Sequence, residues 1–137
     1  DSESSLANVA MRGPVGTGDE VLIAGFYIEG NLPKRILLRA VGSGLAAQGV
    51  SGALADTTLR LFRGPLVIES NDDWDAHPEK AQLESFMSSA GAFALGEGSG
   101  DSAMFVWLEP GLYTAIVSGK NDRTEIALVE LYDLAGK

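Results

Sequence analysis

The chain has 137 residues, no cysteine and a formal net charge of −9 at pH 7. This length predicts one domain with a core of its own, and the lack of cysteine excludes disulfides, thiolate catalysis and cysteine-based metal centres. The acidic balance argues against nucleic-acid binding, and no apolar run reaches the roughly 18 residues of a membrane-spanning helix, so we expect neither nucleic acid nor membrane insertion.

Short apolar runs rich in Val, Ile, Tyr, Phe and Thr alternate with turn residues along most of the chain, which is typical of antiparallel strands. In chain order, the predicted strands are 6–12, 20–29, 34–41, 57–63, 66–70, 103–108, 112–119 and 124–134. We interpret Gly13-Pro14, 16–19 and 119–122 as turns. A change of period predicts one short helix at about 78–90, because Leu83, Phe86 and Met87 share one helical face.

Eight strands and one short helix predict an all-β fold, an antiparallel two-sheet sandwich that is jelly-roll-like. Residues 13–137 form the predicted sandwich domain. Residues 1–12 form a separate N-terminal strand, because the glycine-rich segment 13–18 stands between them and the body. Such a strand can pair within its own sheet or add to the edge of a neighbouring copy, and both alternatives stay open.

Several strands are apolar on both faces, whereas a sheet with one wet face alternates apolar and polar residues. Phe105 and Trp107 lie opposite Met104, Val106 and Leu108. The strand at 124–134 and the strand at 20–29 show the same pattern. Cover for the second face could come from the helix at 78–90 and the loop at 42–56, or from a neighbouring subunit.

The combination of phrases LANVAMRGPVGTGDEVLIAGFYIEG, KRILLRAVGSGL, IESNDDW and GAFALGEGSGDSAMFVWLEPGLYTAIVSG resembles a secreted bacterial β-sandwich module of large extracytoplasmic surface proteins. The resemblance covers about residues 5–134. It implies an extracellular or cell-surface location and a structural or adhesive role, and it brings no catalytic residues with it. We expect the module to stand alone here, with its first strand free at the N-terminus, and this expectation favours self-assembly.

One acidic loop could bind a hard cation. Asp72, Asp73 and Asp75 are concentrated in it, and carboxylate oxygens are the ligands that Ca²⁺ prefers. The loop lacks the glycine and distal glutamate of an EF-hand, so a solvated turn is the simpler interpretation. Asp56 and Asp101 would complete a site only if the fold brings them near.

The aromatic residues offer a second ligand hypothesis, a platform for glycans. Trp74 is the candidate, since it lies in a polar loop where its ring could be exposed. Trp107 has apolar neighbours and is predicted to lie in the core or an interface. Tyr113 follows a Pro-Gly corner and is predicted to donate its hydroxyl to the backbone. His77 is the only histidine and lies before a predicted helix, so we expect no catalytic triad and no enzyme.

These observations predict an extracellular structural subunit that associates with copies of itself, by strand addition or face packing, into filaments where the contact does not close. The alternative is a monomeric adhesion or carbohydrate-binding module. No cofactor is expected apart from the calcium hypothesis. The predicted subunit-interface residues are Leu6, Val9, Met11, Phe105, Trp107, Ile126 and Leu128.

Overall fold

A computed structural model describes residues 9–15, 21–47, 49–53, 55–96, 99–119 and 125–134. These residues contain eight strands: β1 (Val9–Val15), β2 (Leu22–Ile28), β3 (Lys34–Val41), β4 (Thr57–Arg63), β5 (Leu66–Asn71), β6 (Ser102–Leu108), β7 (Gly111–Gly119) and β8 (Glu125–Asp133). They also contain α1 (Ser43–Ala47), a 3₁₀ helix (Trp74–Ala76) and α2 (Lys80–Ala90). The element order therefore follows the predicted one closely.

The strands form two antiparallel four-stranded sheets, which we call sheet A (order β1-β8-β3-β6) and sheet B (order β2-β7-β4-β5). The pairing is nested: β4 pairs with β5, β3 with β6, β2 with β7 and β1 with β8. The chain is thus arranged as one long hairpin, with its tip between β4 and β5, that is rolled into two layers. This arrangement is that of a jelly roll and confirms the predicted antiparallel sandwich.

The first core lies between the two sheets and follows the alternation of the strands. On β7, for example, Tyr113, Ala115 and Val117 point inward and are buried, while the residues between them are more exposed. Tyr113 also donates its hydroxyl to the carbonyl oxygen of Glu109 at 2.7 Å. The predicted role of this tyrosine at the corner is therefore confirmed.

A second core covers the outer face of sheet A. All of residues 36–41 in β3 are buried, because the inward side chains enter the first core and the outward ones, Leu37 and Val41, enter the second. The cover includes Leu45 of α1, the buried face of α2 and Leu95 of the loop after α2. Over β3 and β8, the chain itself therefore supplies the cover, and a neighbouring subunit is not needed to bury these two strands.

One predicted boundary is wrong, whereas the short helix lies close to its predicted place at about 78–90. The predicted turn at Gly13-Pro14 is part of β1, which continues to Val15. Proline lacks a backbone N–H and is tolerated in an edge strand, and β1 is the edge of sheet A with β8 as its partner strand. The helix begins at Lys80, after Pro78. The predicted residues 6–8 of the first strand and the predicted turns at 16–19 and 120–122 lie outside the described residues.

A buried ion pair crosses the outer face of sheet A. The Nε atom of Arg39 donates to the Glu130 carboxylate at 2.8 Å, and Arg39 Nη1 donates to the carbonyl oxygen of Phe93 at 2.6 Å. The Arg39 guanidinium also lies over the Phe93 ring, 4.6 Å from its centroid. Burial, reinforced by the charge of Glu130 and a hydrogen bond to it, raises the pKa of Tyr132 to about 12. One network thus fastens the loop after α2 to β3 and β8.

Glu130→Ala should lower the free energy of unfolding by about 3–5 kcal/mol, because it leaves the charge of Arg39 buried without its carboxylate. Urea denaturation measures the change. The double variant Arg39→Leu/Glu130→Leu should recover much of this loss, since apolar side chains replace both charges. A single-variant loss no larger than that of an exposed pair would contradict this account.

Stability should fall between about pH 10 and pH 12 through Tyr132. The folded state raises the pKa of this phenol from 10 to about 12, so the folded chain binds a proton that the unfolded chain releases in this window. The stabilisation is complete below pH 10 and is lost as the pH rises to 12. In Tyr132→Phe the urea midpoint should depend less steeply on pH over this range, and equal slopes would refute the prediction.

Candidate functional site

The candidate site is the edge of sheet A where β1 pairs with β8, which we call the β1–β8 edge. Seven consecutive pairs join the strands, from Val9 opposite Leu131 to Val15 opposite Glu125. On its other side, β8 pairs with β3. As a result, β1 is held by one neighbouring strand, whereas β8 is integrated into the sheet.

Of the β1 side chains that the structure describes, Val15 is the one that belongs to the first core. Met11 is 37% exposed although it lies opposite the buried Val129, and Arg12 and Pro14 are exposed. Val15 is 1% exposed. β1 is therefore attached by its backbone ladder to β8 and by the buried Val15 side chain, and a ladder of this kind does not depend on which copy supplies the strand.

By contrast, β8 is apolar on both faces where β1 covers it. Ala127, Val129 and Leu131 point into the first core, while Ile126 and Leu128 pack against the second. If β1 moved away, the N–H and C=O groups on this side of β8 would lose their partners along an apolar strand. An edge of this type is a template for adding a strand.

The structure brings four of the predicted interface residues together. Val9 and Met11 lie on β1, and Ile126 and Leu128 lie on β8 directly beside it. The predicted residue Leu6 lies outside the described residues. The sequence could not show this neighbourhood, because the two strands stand at opposite ends of the chain.

Phe105 and Trp107 lie elsewhere, on β6 at the opposite edge of sheet A. The Phe105 ring contacts Phe86 of α2 in an edge-to-face arrangement and stacks on His77. Trp107 is 65% exposed, with the Arg35 guanidinium 5.2 Å from its ring centroid. These two residues therefore do not belong to the β1–β8 edge.

The hypothesis of a glycan platform at Trp74 rested on exposure, and this premise is wrong. Trp74 is 2% exposed and belongs to the second core. Its indole N–H donates to the carbonyl oxygen of Gly96 and the hydroxyl of Ser99, and Lys80 lies over its ring. Trp74 is buried although its neighbours in the sequence are polar, because the loop that contains it folds back over sheet A.

The outer face of sheet B is a second exposed surface, which we call the open face. Its exposed apolar residues include Ile23 and Tyr27 of β2, Leu112 of β7 and Val67 of β5. The two-sided apolar pattern of β2 was the sequence signal for this surface. The contribution of β5 was missed, since a short apolar run beside a turn gives no sign of which face it occupies. Contiguous exposed apolar surface marks interaction sites.

The acidic loop brings two of the three predicted ligands together. Carboxylate oxygens of Asp56, Asp72 and Asp73 lie within 4.8 Å of one another. Asp75 instead pairs with Lys80. The carboxylate of Asp101 is also engaged elsewhere, because it accepts hydrogen bonds from the backbone N–H groups at the start of α1. Asp56 thus joins the cluster, whereas Asp101 holds α1 in place.

His77 has structural contacts that account for its position. Its Nδ1 atom accepts a hydrogen bond from the backbone N–H of Glu79 at 2.9 Å, and its ring stacks on Phe105. These contacts place the imidazole in the connection between the 3₁₀ helix and α2. They make it part of the cover on sheet A.

A comparison with solved structures finds the same fold in the pre-peptidase C-terminal domain of a collagenase from Bacillus anthracis, with a TM-score of 0.53 and 12% sequence identity. The similarity covers 91% of this chain and 89% of that one. No protein-family model matches the chain, and no curated protein matches it. None of the helices among the described residues is long and apolar enough to cross a membrane. At 12% identity the likeness shows a shared β-sandwich fold.

The calcium hypothesis makes a direct prediction for the carboxylate cluster. Calcium should raise the melting temperature of the wild-type chain, and chelation should reverse the rise, because a bound cation relieves repulsion among the three carboxylates. The rise should be lost in Asp73→Asn and kept in Asp75→Asn, the matched control outside the cluster. A wild-type melting temperature that changes with neither calcium nor chelator would refute the site.

Proposed function

We propose that this chain is a non-catalytic, extracellular structural subunit that assembles with copies of itself by donating β1 to the β8 edge of a neighbour. The observation that carries the proposal is the position of β1. It is the first described strand, it lies at a sheet edge, and β8 is its partner strand in that sheet. The same backbone ladder can form within one chain or between two.

The energetics of such an exchange depend on what changes between the two arrangements. The contacts of β1 with β8 are the same in both, so they cancel in the comparison. What remains is the conformation of the segment between β1 and β2, whose sequence is rich in glycine, and the concentration of the chain. Assembly is therefore favoured wherever copies are crowded together.

The geometry of the exchange also predicts the form of the assembly. Each copy donates one strand and accepts one strand at different places on its surface, so the contact is heterologous. Contacts of this kind generate rings when the rotation closes and filaments when it does not. The proposed structural role follows from this polarity.

The extracellular location is part of the proposal and has separate support. The fold is shared with a domain of a bacterial collagenase. The sequence phrases resemble secreted surface modules, and the chain carries a formal net charge of −9, which favours solubility. Two independent similarities, one of sequence phrases and one of fold, thus favour a module that works outside the cell.

Adhesion, including carbohydrate binding, is the second candidate function. With Trp74 buried, the surface that favours it is the open face of sheet B, where Tyr27 is 57% exposed beside apolar neighbours. Exposed aromatic rings can stack on sugars or pack against a protein partner. This candidate predicts a monomer, which separates it from the first.

A designed disulfide tests the exchange. Arg12 and Leu128 lie directly opposite each other on β1 and β8, and the wild-type chain has no cysteine. In Arg12→Cys/Leu128→Cys, oxidation should produce a ladder of covalent multimers on non-reducing gels, because the paired strands belong to different copies. Light scattering and electron microscopy of the wild-type chain should show oligomers or filaments.

The control is the single variant Arg12→Cys, which cannot form a ladder. Oxidised material that runs only as a cross-linked monomer would show that β1 pairs within its own chain and would overturn the exchange. A monodisperse monomer that binds glycans, and loses them on Tyr27→Ala, would establish adhesion instead.

A further inference from the structure

Gly13 occupies a place in β1 where an added side chain would be crowded and Leu22 would have to shift. It lies opposite Ala127 of β8, and a Cβ atom built on it would lie 3.0 Å from Cδ1 of Leu22 in β2. Leu22 is buried in the first core, so its side chain is held by neighbours. The methyl group of Leu22 therefore fills the space that the missing side chain leaves.

Backbone conformation does not explain the glycine. Six glycines in the described residues have positive φ angles, and Gly13 is not among them. Glycine in a strand interior weakens the strand, and a common reason for its presence is close approach by another group. At Gly13 this reason is the Leu22 side chain.

The contact also fixes the register of β1. A shift by one residue would turn Arg12 or Pro14 toward the first core. A shift by two would place Met11 or Val15 against Leu22, where even one carbon is crowded. Since β1 contains a single glycine, one alignment satisfies the contact, and this alignment also buries Val15.

We propose that Gly13 of one copy and Leu22 of the next form a steric notch, which sets the register of the donated strand and restricts the strands that the β8 edge accepts. This inference rests on the proposed exchange of β1. The partner is the segment 9–15 of a second copy, and the selected feature is a glycine two residues before a buried valine. Strands with a side chain at that position are rejected.

A mixing experiment with full-length chains tests the notch. Gly13→Val should abolish assembly, because its side chain meets Leu22 of the acceptor. Valine has a higher strand propensity than glycine, so a loss of pairing cannot come from a weaker strand. The matched control Arg12→Val, on the opposite face of β1, should assemble as the wild type does.

Leu22→Ala should make room for a side chain at position 13 of the donated strand, so this variant provides the decisive test. Labelled Gly13→Val should enter long assemblies when it is mixed with Leu22→Ala. When it is mixed with wild type it should shorten the assemblies, because it can accept a strand from a wild-type chain and cannot donate one to it. Rescue requires contact between different copies, since the labelled chain keeps its own Leu22. Sedimentation of the label measures each outcome.

The outcomes separate this inference from the proposed function. If the wild type assembles and Gly13→Val assembles equally well, the notch is refuted while strand exchange stands. If the wild type never assembles, strand exchange is refuted, and the notch, which rests on it, is refuted as well. If Gly13→Val does not fold, Gly13→Ala provides a smaller obstruction, and it should give assemblies intermediate in length between those of wild type and a non-assembling chain. Equal lengths for Gly13→Ala and wild type would then overturn the notch.

Discussion

The two-sided burial of β3 is the constraint on which the rest of the structure depends. Residues 36–41 are all buried, so this strand needs an apolar layer on each face. Sheet B supplies one layer and the helical cover supplies the other. The positions of α1, the 3₁₀ helix and α2 follow from this requirement, and Arg39 and Glu130 cross the second layer as a pair because neither charge could be buried there alone.

Because of this cover, the two sheets differ in the exposure of their outer faces, and this difference limits where a partner could bind. The outer face of sheet A is closed over β3, so packing of a second copy is not needed there, and the two-sided apolar pattern of β8 no longer argues for a neighbouring subunit. The argument for assembly therefore rests on the edge of sheet A, where β1 is held by a backbone ladder and, among its described side chains, by the buried Val15. Sheet B keeps an exposed outer face, so it is available to whatever partner the module meets.

Local patterns in the sequence were enough to predict most elements, while their arrangement was not predictable. The alternation in 57–63 and 112–119 located β4 and β7 because each strand has one face in the first core. The nested pairing of β1 with β8 depends on contacts between the chain ends, which no local pattern records. Trp74 and Gly13-Pro14 were misinterpreted for one reason: residue types typical of loops become part of a core or a strand when the surrounding fold covers or pairs them.

In the proposed assembly, the nested topology accounts for the choice of β1 as the exchanged strand. The pairs β4–β5, β3–β6 and β2–β7 lie inside the outermost pair in the roll, so β1 can leave while those ladders and the β3–β8 ladder stay intact. Its departure would expose one side of β8 and the space beside Leu22, and in the proposed assembly the strand that returns carries a glycine at that point. A backbone ladder by itself would accept many strands. The proposed notch would add selectivity to the ladder, which an open-ended assembly needs if every addition is to repeat the same geometry.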